Sequence, residues 1–313
     1  MTATASTRQI AGQTLVELGH EYPDLVVVGG DLNKSTFANR FEAEFPDRFF
    51  DFGPAEQNMV GVAAGLAASG KIPVVSTFAV FGSARPFDQL RVSVAQPGLN
   101  VKLVLTHAGL MTGEDGSSAQ SVEDLAIVSA LPTFTVIVPA DGPEAALAVR
   151  AAVSTPGPFY VRLSRPATPV VHKEPHRFAV GRAEVMREGK DASIIACGIM
   201  VHAALTAADL LAAEGISCRV VNMATVSPLD RGAVLAAARE TGALVTAEEH
   251  LLQGGLGSSI ASLLAGSVPT PVEMVGLAGY GESGDPQRLL EKYGLTPVHV
   301  VDAVRRAVDR KGA

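Results

Sequence analysis

Runs of apolar, largely β-branched residues recur along the first half of the chain at 25–29, 72–77, 101–106, 135–138 and 159–163. Each is short and apolar at successive rather than alternate positions, which predicts parallel strands covered on both faces. Between them lie alanine-rich stretches with helical spacing, at 8–21, 56–69, 87–95, 121–131 and 143–153, several opened by Ser, Asp or Pro where a helix start favours them. Strand and helix alternate, so the expected architecture is a doubly wound parallel α/β sheet.

After Arg165 the periodicity stops at Pro-Ala-Thr-Pro-Val-Val-His-Lys-Glu-Pro-His. This polar, proline-bearing passage predicts a linker at 169–185 between a domain of 1–168 and a smaller α/β domain of 186–313. Strands are expected there near 192–197, 217–222, 244–248 and 272–275, and helices near 201–214, 231–241, 256–264, 286–293 and 297–308. A length of 313 residues suits two such cores. No apolar run approaches the roughly 20 residues of a membrane span, and the Thr/Ala-rich start has no apolar signal core, so a cytoplasmic protein with no membrane partner is expected. The formal charge is −7 and the 25 Lys and Arg form no run, which argues against nucleic acid as a partner. Cys197 and Cys218 sit in apolar stretches and read as core residues, so no disulfide or zinc framework is expected.

Doubly wound sheets gather ligands where strands end at their carboxyl edge. Four successive strand ends place Asp31, Glu56, Phe78, Phe81, His107, Glu114 and Asp115 on one rim. Each alone has an ordinary structural explanation, as a turn residue, a first-turn carboxylate, a core aromatic or a loop histidine. Their convergence, flanked by glycines that let backbone approach a ligand, points to a site. In the second half, Glu249, His250 and the glycine-rich turn at 254–257 form a weak phosphate-type signal, and a structural or interface role is expected for them.

Four motifs carry a resemblance: Asp51-Phe52-Gly53-Pro54-Ala55-Glu56-Gln57-Asn58-Met59; Ser76-Thr77-Phe78-Ala79-Val80-Phe81; Phe87-Asp88-Gln89-Leu90-Arg91; and Thr106-His107-Ala108-Gly109 with Gly113-Glu114-Asp115-Gly116. In order and spacing they resemble the central domain of transketolases, most closely those encoded as two subunits, of which this looks like the C-terminal one. The resemblance continues through Ala247-Glu248-Glu249-His250 and Gly254-Gly255-Leu256-Gly257 and covers nearly the whole chain. It implies thiamine diphosphate as cofactor. Glu56 looks like the catalytic glutamate that hydrogen-bonds the aminopyrimidine and drives it toward the imino tautomer, a role that burial would favour. Phe78 and Phe81 resemble the aromatic wall on the pyrimidine, and Asp31 a residue touching the cofactor across a subunit boundary. His107, with a catalytic and substrate-binding role, and Asp115 match residues that hydrogen-bond sugar hydroxyls. Arg8, Ser35 and Arg165 match residues that bind a terminal phosphate, for which guanidinium groups offer bidentate geometry.

Two departures qualify this. Where the family commonly carries a second donor-binding histidine, this chain has Ala119, which puts the standard sugar phosphates in doubt. The family's diphosphate and metal site, Gly-Asp-Gly followed by Asn, has no counterpart: Asp115-Gly116 and Asp141-Gly142 lack the leading Gly and the distant Asn. No metal ligand is therefore expected here. The resemblance implies a separate N-terminal subunit that holds the diphosphate and Mg²⁺ or Ca²⁺, in an α2β2 heterotetramer acting on sugar phosphates in the pentose phosphate pathway. The alternatives are the β subunit of a 2-oxo acid dehydrogenase, a relative of deoxyxylulose-phosphate synthase, and a non-catalytic scaffold partner.

Overall fold

The computed structural model describes residues 3–172 and 176–311. Lys173, Glu174 and Pro175 of the expected linker, and the chain ends 1–2 and 312–313, lie outside the described residues.

The five apolar runs of the first half form the centre of a seven-stranded sheet. Its order is Thr225–Ser227, Thr135–Ile137, Phe159–Arg162, Lys102–Leu105, Ile72–Ser76, Leu25–Gly29, Phe49–Asp51. All neighbours are parallel except Thr225–Ser227, which runs antiparallel to Thr135–Ile137 and brings a strand of the second half onto the first sheet. Leu25–Gly29, Lys102–Leu105 and Phe159–Arg162 are buried at every position, as a strand with helices on both faces must be. One face packs Leu15, Leu18 and Phe41 against Val27, Val74 and Val161; the other packs Met59, Val60 and Leu90 against Val28, Val75 and Leu103. The second half folds round a five-stranded sheet in the order Val272–Leu277, Leu244–Leu251, Ala192–Ala196, Cys218–Asn222, Glu184–Arg187, parallel but for its last edge.

Helix starts follow the side chains at their caps. Asp141 accepts the Glu144 N–H at 3.0 Å at the head of Gly142–Ser154, Asp230 that of Ala233 at 3.0 Å, and Asp285 those of Gln287 and Arg288 at 3.1 Å. Two expected helices differ. The one expected at 121–131 is confined to Asp124–Ser129, because Ser121 is spent in a bridge to Ala108 and Asp124 in a buried ion pair with Arg162. The stretch 87–95 is one α-turn, Phe87–Gln89, followed by the π-helical Leu90–Ala95. The short strands Thr4–Ser6, Phe49–Asp51, Ala167–Pro169, Glu184–Arg187 and Thr225–Ser227 carry no long apolar run, since each is an edge strand or half of a two-stranded ribbon. Cys197 and Cys218 are both free and buried. Among the described residues no helix is long and apolar enough to cross a membrane.

Candidate active site

Glu56 is the first residue of the helix Glu56–Ala68, where a carboxylate meets the positive end of the helix dipole. Its side chain is 4% exposed and receives a 2.7 Å bond from Nη1 of Arg85. The Arg85 guanidinium in turn lies over the ring of Phe81, 4.0 Å from its centroid. A planar cation thus donates N–H to Glu56 while covering the Phe81 face, beside a cleft of about 400 Å³ lined by Pro54, Ala55, Glu56, Gln57, Asn58 and Arg85.

A parallel bridge between Phe78 and Thr106 prolongs the strands Ile72–Ser76 and Lys102–Leu105 beyond their ladder. This sets Phe78 and His107 side by side, their rings stacked at 3.6 Å, and Phe81 lies near-parallel to Phe78 at 5.8 Å. His107 has a φ of 59°, a left-handed conformation uncommon for a side chain of that size. Its Nδ1 is 2.7 Å from the Thr106 hydroxyl. Burial, with the positive charges of Arg8 and Arg165, pushes its pKa down to about 3, so the imidazole is neutral at physiological pH.

The second cluster gathers residues more than 150 positions apart. Arg8 donates from Nε to the Arg165 carbonyl at 2.7 Å and from Nη1 to the Ser35 carbonyl at 2.5 Å. Arg165 pairs with Glu114 at 2.8 Å and lies 3.8 Å from Asp115. Burial and the neighbouring Arg165 charge lower the Arg8 pKa, outweighing the opposing pull of Asp115. Arg8 thus meets the Arg165 backbone, while the Arg165 guanidinium faces the carboxylates of Glu114 and Asp115. Ser35 meets Arg8 through its backbone carbonyl, a different contact from the hydroxyl a phosphate would use. Asp31 ends the strand Leu25–Gly29 with a φ of 69°; its amide is fixed by Asp51 Oδ1 at 3.1 Å and its side chain is exposed.

Asp115 rides on the 3-10 segment Leu110–Asp115, held from the second half of the chain. Glu249 accepts the Met111 N–H at 2.7 Å, and the Ser283 hydroxyl donates to the Glu114 carbonyl at 2.7 Å. Glu248 accepts the Leu256 and Gly257 N–H groups at 2.8 Å, so Glu248 and Glu249 brace helix and loop from inside. Ala119 is buried.

Arg85 was not among the sequence candidates. The signal for it was its position seven residues after Phe78, one helical turn beyond Phe81. Asp51, whose carboxylate ties down Asp31, Asn33 and Gly53, was visible only as part of a motif.

Comparison with known proteins matches residues 3–171 to the transketolase pyrimidine-binding domain and residues 181–300 to the transketolase C-terminal domain. The chain is 41% identical to the 6-deoxy-6-sulfo-D-fructose transketolase subunit SqwH of Clostridium sp., over 95% of its own length and 92% of that protein. It is 38% identical to human transketolase over 97% of its length, spanning 49% of that protein. A solved split-gene transketolase, an inactive β4 tetramer, superposes with a TM-score of 0.91 at 48% identity, covering 99% of this chain and all of the other. The chain therefore belongs to the transketolase family, whose pyrimidine-binding and C-terminal domains make up nearly all of it.

Proposed function

We propose that this chain is the pyrimidine-side subunit of a thiamine-diphosphate-dependent ketol transferase. It moves a two-carbon ketol unit from a ketose donor to an aldose acceptor, and only beside a second polypeptide that holds the diphosphate and its Mg²⁺ or Ca²⁺. The observation that carries this is the buried Glu56 bonded to a planar cation stacked on Phe81. Arg85 makes to those two residues the contacts that the protonated or imino form of an aminopyrimidine would make, a ring N–H to the carboxylate and a flat face to the aromatic, so the residues present fit that ring.

The bound coenzyme would supply the electron sink for the two-carbon fragment. This chain's part is orientation and proton handling. Glu56 holds a proton between its carboxyl and a ring nitrogen, and Phe78 and Phe81 form the aromatic wall. Asp31, exposed at a strand end, is free to reach across a subunit boundary. His107, kept neutral, can donate or accept one hydrogen bond from a sugar hydroxyl, with Asp115 beside it. Arg8 and Arg165 receive the anionic end of the sugar, a phosphate or a sulfonate, with Ser35 positioning Arg8 through its carbonyl. The family resemblance supports an α2β2 assembly of the two chains. The solved relative made of β chains alone is an inactive tetramer, which supports dependence on a second chain. The relative named as a subunit of 6-deoxy-6-sulfo-D-fructose transketolase, together with Ala119 in this chain, supports a donor other than the usual sugar phosphates.

The test is to assay the chain alone and with a companion carrying the Gly-Asp-Gly site, supplying thiamine diphosphate and Mg²⁺ and offering ketose phosphates, free ketoses and 6-sulfonated ketoses. Ketol transfer is expected only from the pair. Turnover by the isolated chain would overturn the proposal, and release of carbon dioxide from 2-oxo acids without ketol transfer would replace it with the dehydrogenase reading.

A further inference from the structure

The most voluminous of the described cavities, about 720 Å³, lies away from Glu56, between the two halves of the chain. Its floor gathers His172 and His176 of the proline-bearing passage, Glu144 of the helix Gly142–Ser154, Glu184 at the start of the edge strand Glu184–Arg187, and Asn222. The two imidazoles stack at 3.8 Å. His172 Nε2 is 3.9 Å from Glu144 Oε1 and 3.3 Å from Glu184 Oε2. His176 Nε2 is 3.8 Å from the same Glu144 oxygen, and its Nδ1 is 3.5 Å from Glu184. The His176 side chain is 4% exposed, yet among the described residues its Nε2 has no hydrogen-bond partner, and neither has the buried Oδ1 of Asn222. One donor atom each from Glu144, His172 and His176 lies within 4.8 Å of the others.

We infer that Glu144, His172 and His176 form a divalent transition-metal site of the zinc class that ties the two halves together, with Glu184, 3.3 Å from His172 Nε2 but outside that group of three, swinging in as fourth ligand. Metal–ligand bonds of about 2.0–2.2 Å place tetrahedral donor atoms about 3.3–3.6 Å apart. The two His–Glu144 separations of 3.9 and 3.8 Å approach this, and metal binding would turn the stacked imidazoles apart so that both Nε2 atoms face the ion. Groups that would orient these ligands are already bonded to them. Asp141 Oδ2 lies 3.0 Å from His172 Nδ1, fixing the tautomer that puts the lone pair on Nε2, where the Asn222 amide now meets it at 3.4 Å and a metal would take its place. Asp141 also accepts the backbone N–H groups of Val171 and His172. Glu144 is oriented by the Ala140 N–H at 2.7 Å on one oxygen and by Asn222 at 2.8 Å on the other. Two imidazoles and two carboxylates suit Zn²⁺ over the all-oxygen preference of Mg²⁺ and Ca²⁺. Three carboxylates, of Asp141, Glu144 and Glu184, crowd the pair, and a dication offsets their charge.

The test uses the untagged full chain, stripped with a chelator and titrated at neutral pH with Co²⁺ and then Zn²⁺. The expected result is the visible d–d absorption of tetrahedral Co²⁺ at one equivalent per chain, its displacement by Zn²⁺, and a thermal midpoint raised by Zn²⁺ but not by Mg²⁺. His176→Ala should abolish the absorption. Glu184→Gln, a half-exposed strand position that leaves the fold intact, should weaken Zn²⁺ at least about ten-fold. Absence of a tetrahedral Co²⁺ signal in the wild-type chain, or equal Zn²⁺ affinity in wild type and Glu184→Gln, overturns the proposal.

Discussion

At the scale of single residues, burial sets protonation. His107 lies so far below the ordinary imidazole range that it does not titrate between pH 5 and 8. In the assembled enzyme, His107→Ala is therefore expected to lower kcat/KM by the same factor across that interval; a wild-type ionisation near 6.5 that vanishes in the variant would contradict it. Lys102 is fully buried, donating to the carbonyls of Thr155 and Gly157 at 2.7 and 2.6 Å, and burial pushes its pKa down to about 7. Between that value and the ordinary 10.5, the unfolded chain holds a proton the folded chain lacks, so this group makes stability rise with pH. Relative to Lys102→Met, denaturant unfolding should show the wild type gaining up to on the order of 1.4 kcal/mol per pH unit from 7 to 10, where a pH-independent difference would refute the assignment. On the proposed function, the half-exposed Arg85 would compete with a pyrimidine for Glu56. An ion pair of this kind is worth about 0.2–1 kcal/mol, so Arg85→Ala should tighten thiamine diphosphate binding by the assembled enzyme by up to about five-fold, read by calorimetry. Phe78 was legible in the sequence because it follows an apolar strand, and Glu56 and Phe81 because they lie in motifs that resemble a known family. Arg85 was not, because its role depends on a rotamer.

At the scale of elements, buried strands were the most legible feature, since a strand covered on both faces must be apolar throughout. The pieces of three or four residues at sheet edges were not, for they owe their extended form to a neighbour rather than to their own composition. The helix expected at 121–131 shrank for a related reason: Asp124, Tyr160 and Arg162 form a buried polar cluster whose partners are far apart in sequence. The loop that carries Asp115 is the element on which the site most depends. Gly109 opens it at a φ of +76°, and a Cβ there would meet the Glu249 carboxylate at 2.2–2.4 Å. Gly109→Ala is expected to destabilise the chain by about 1–3 kcal/mol and to lower activity with it; unchanged chemical denaturation would show that the loop accommodates a side chain.

At the scale of the whole molecule, the two halves are joined at several points. Thr225–Ser227 completes the first sheet, Glu249 and Ser283 hold the substrate-side loop, and His172 and His176 sit in a cleft between Glu144 and Glu184. The passage that breaks periodicity after Arg165 reads as linker from sequence, because a lone pair of histidines among prolines carries no pattern until the fold brings carboxylates to it. The convergence of Arg8 with Arg165, by contrast, was visible only through the resemblance to transketolases, since nothing local links residues so far apart. All of the functional account rests on Glu56 exchanging a proton with a cofactor whose other end belongs to a second chain. The measurement that reaches it most directly is the ketol-transfer rate of the two-chain enzyme carrying Glu56→Gln, with assembly and thiamine diphosphate binding followed in the same samples. Loss of about 10²–10⁴-fold in kcat with assembly intact is the predicted result, and a rate within a few-fold of wild type would contradict it.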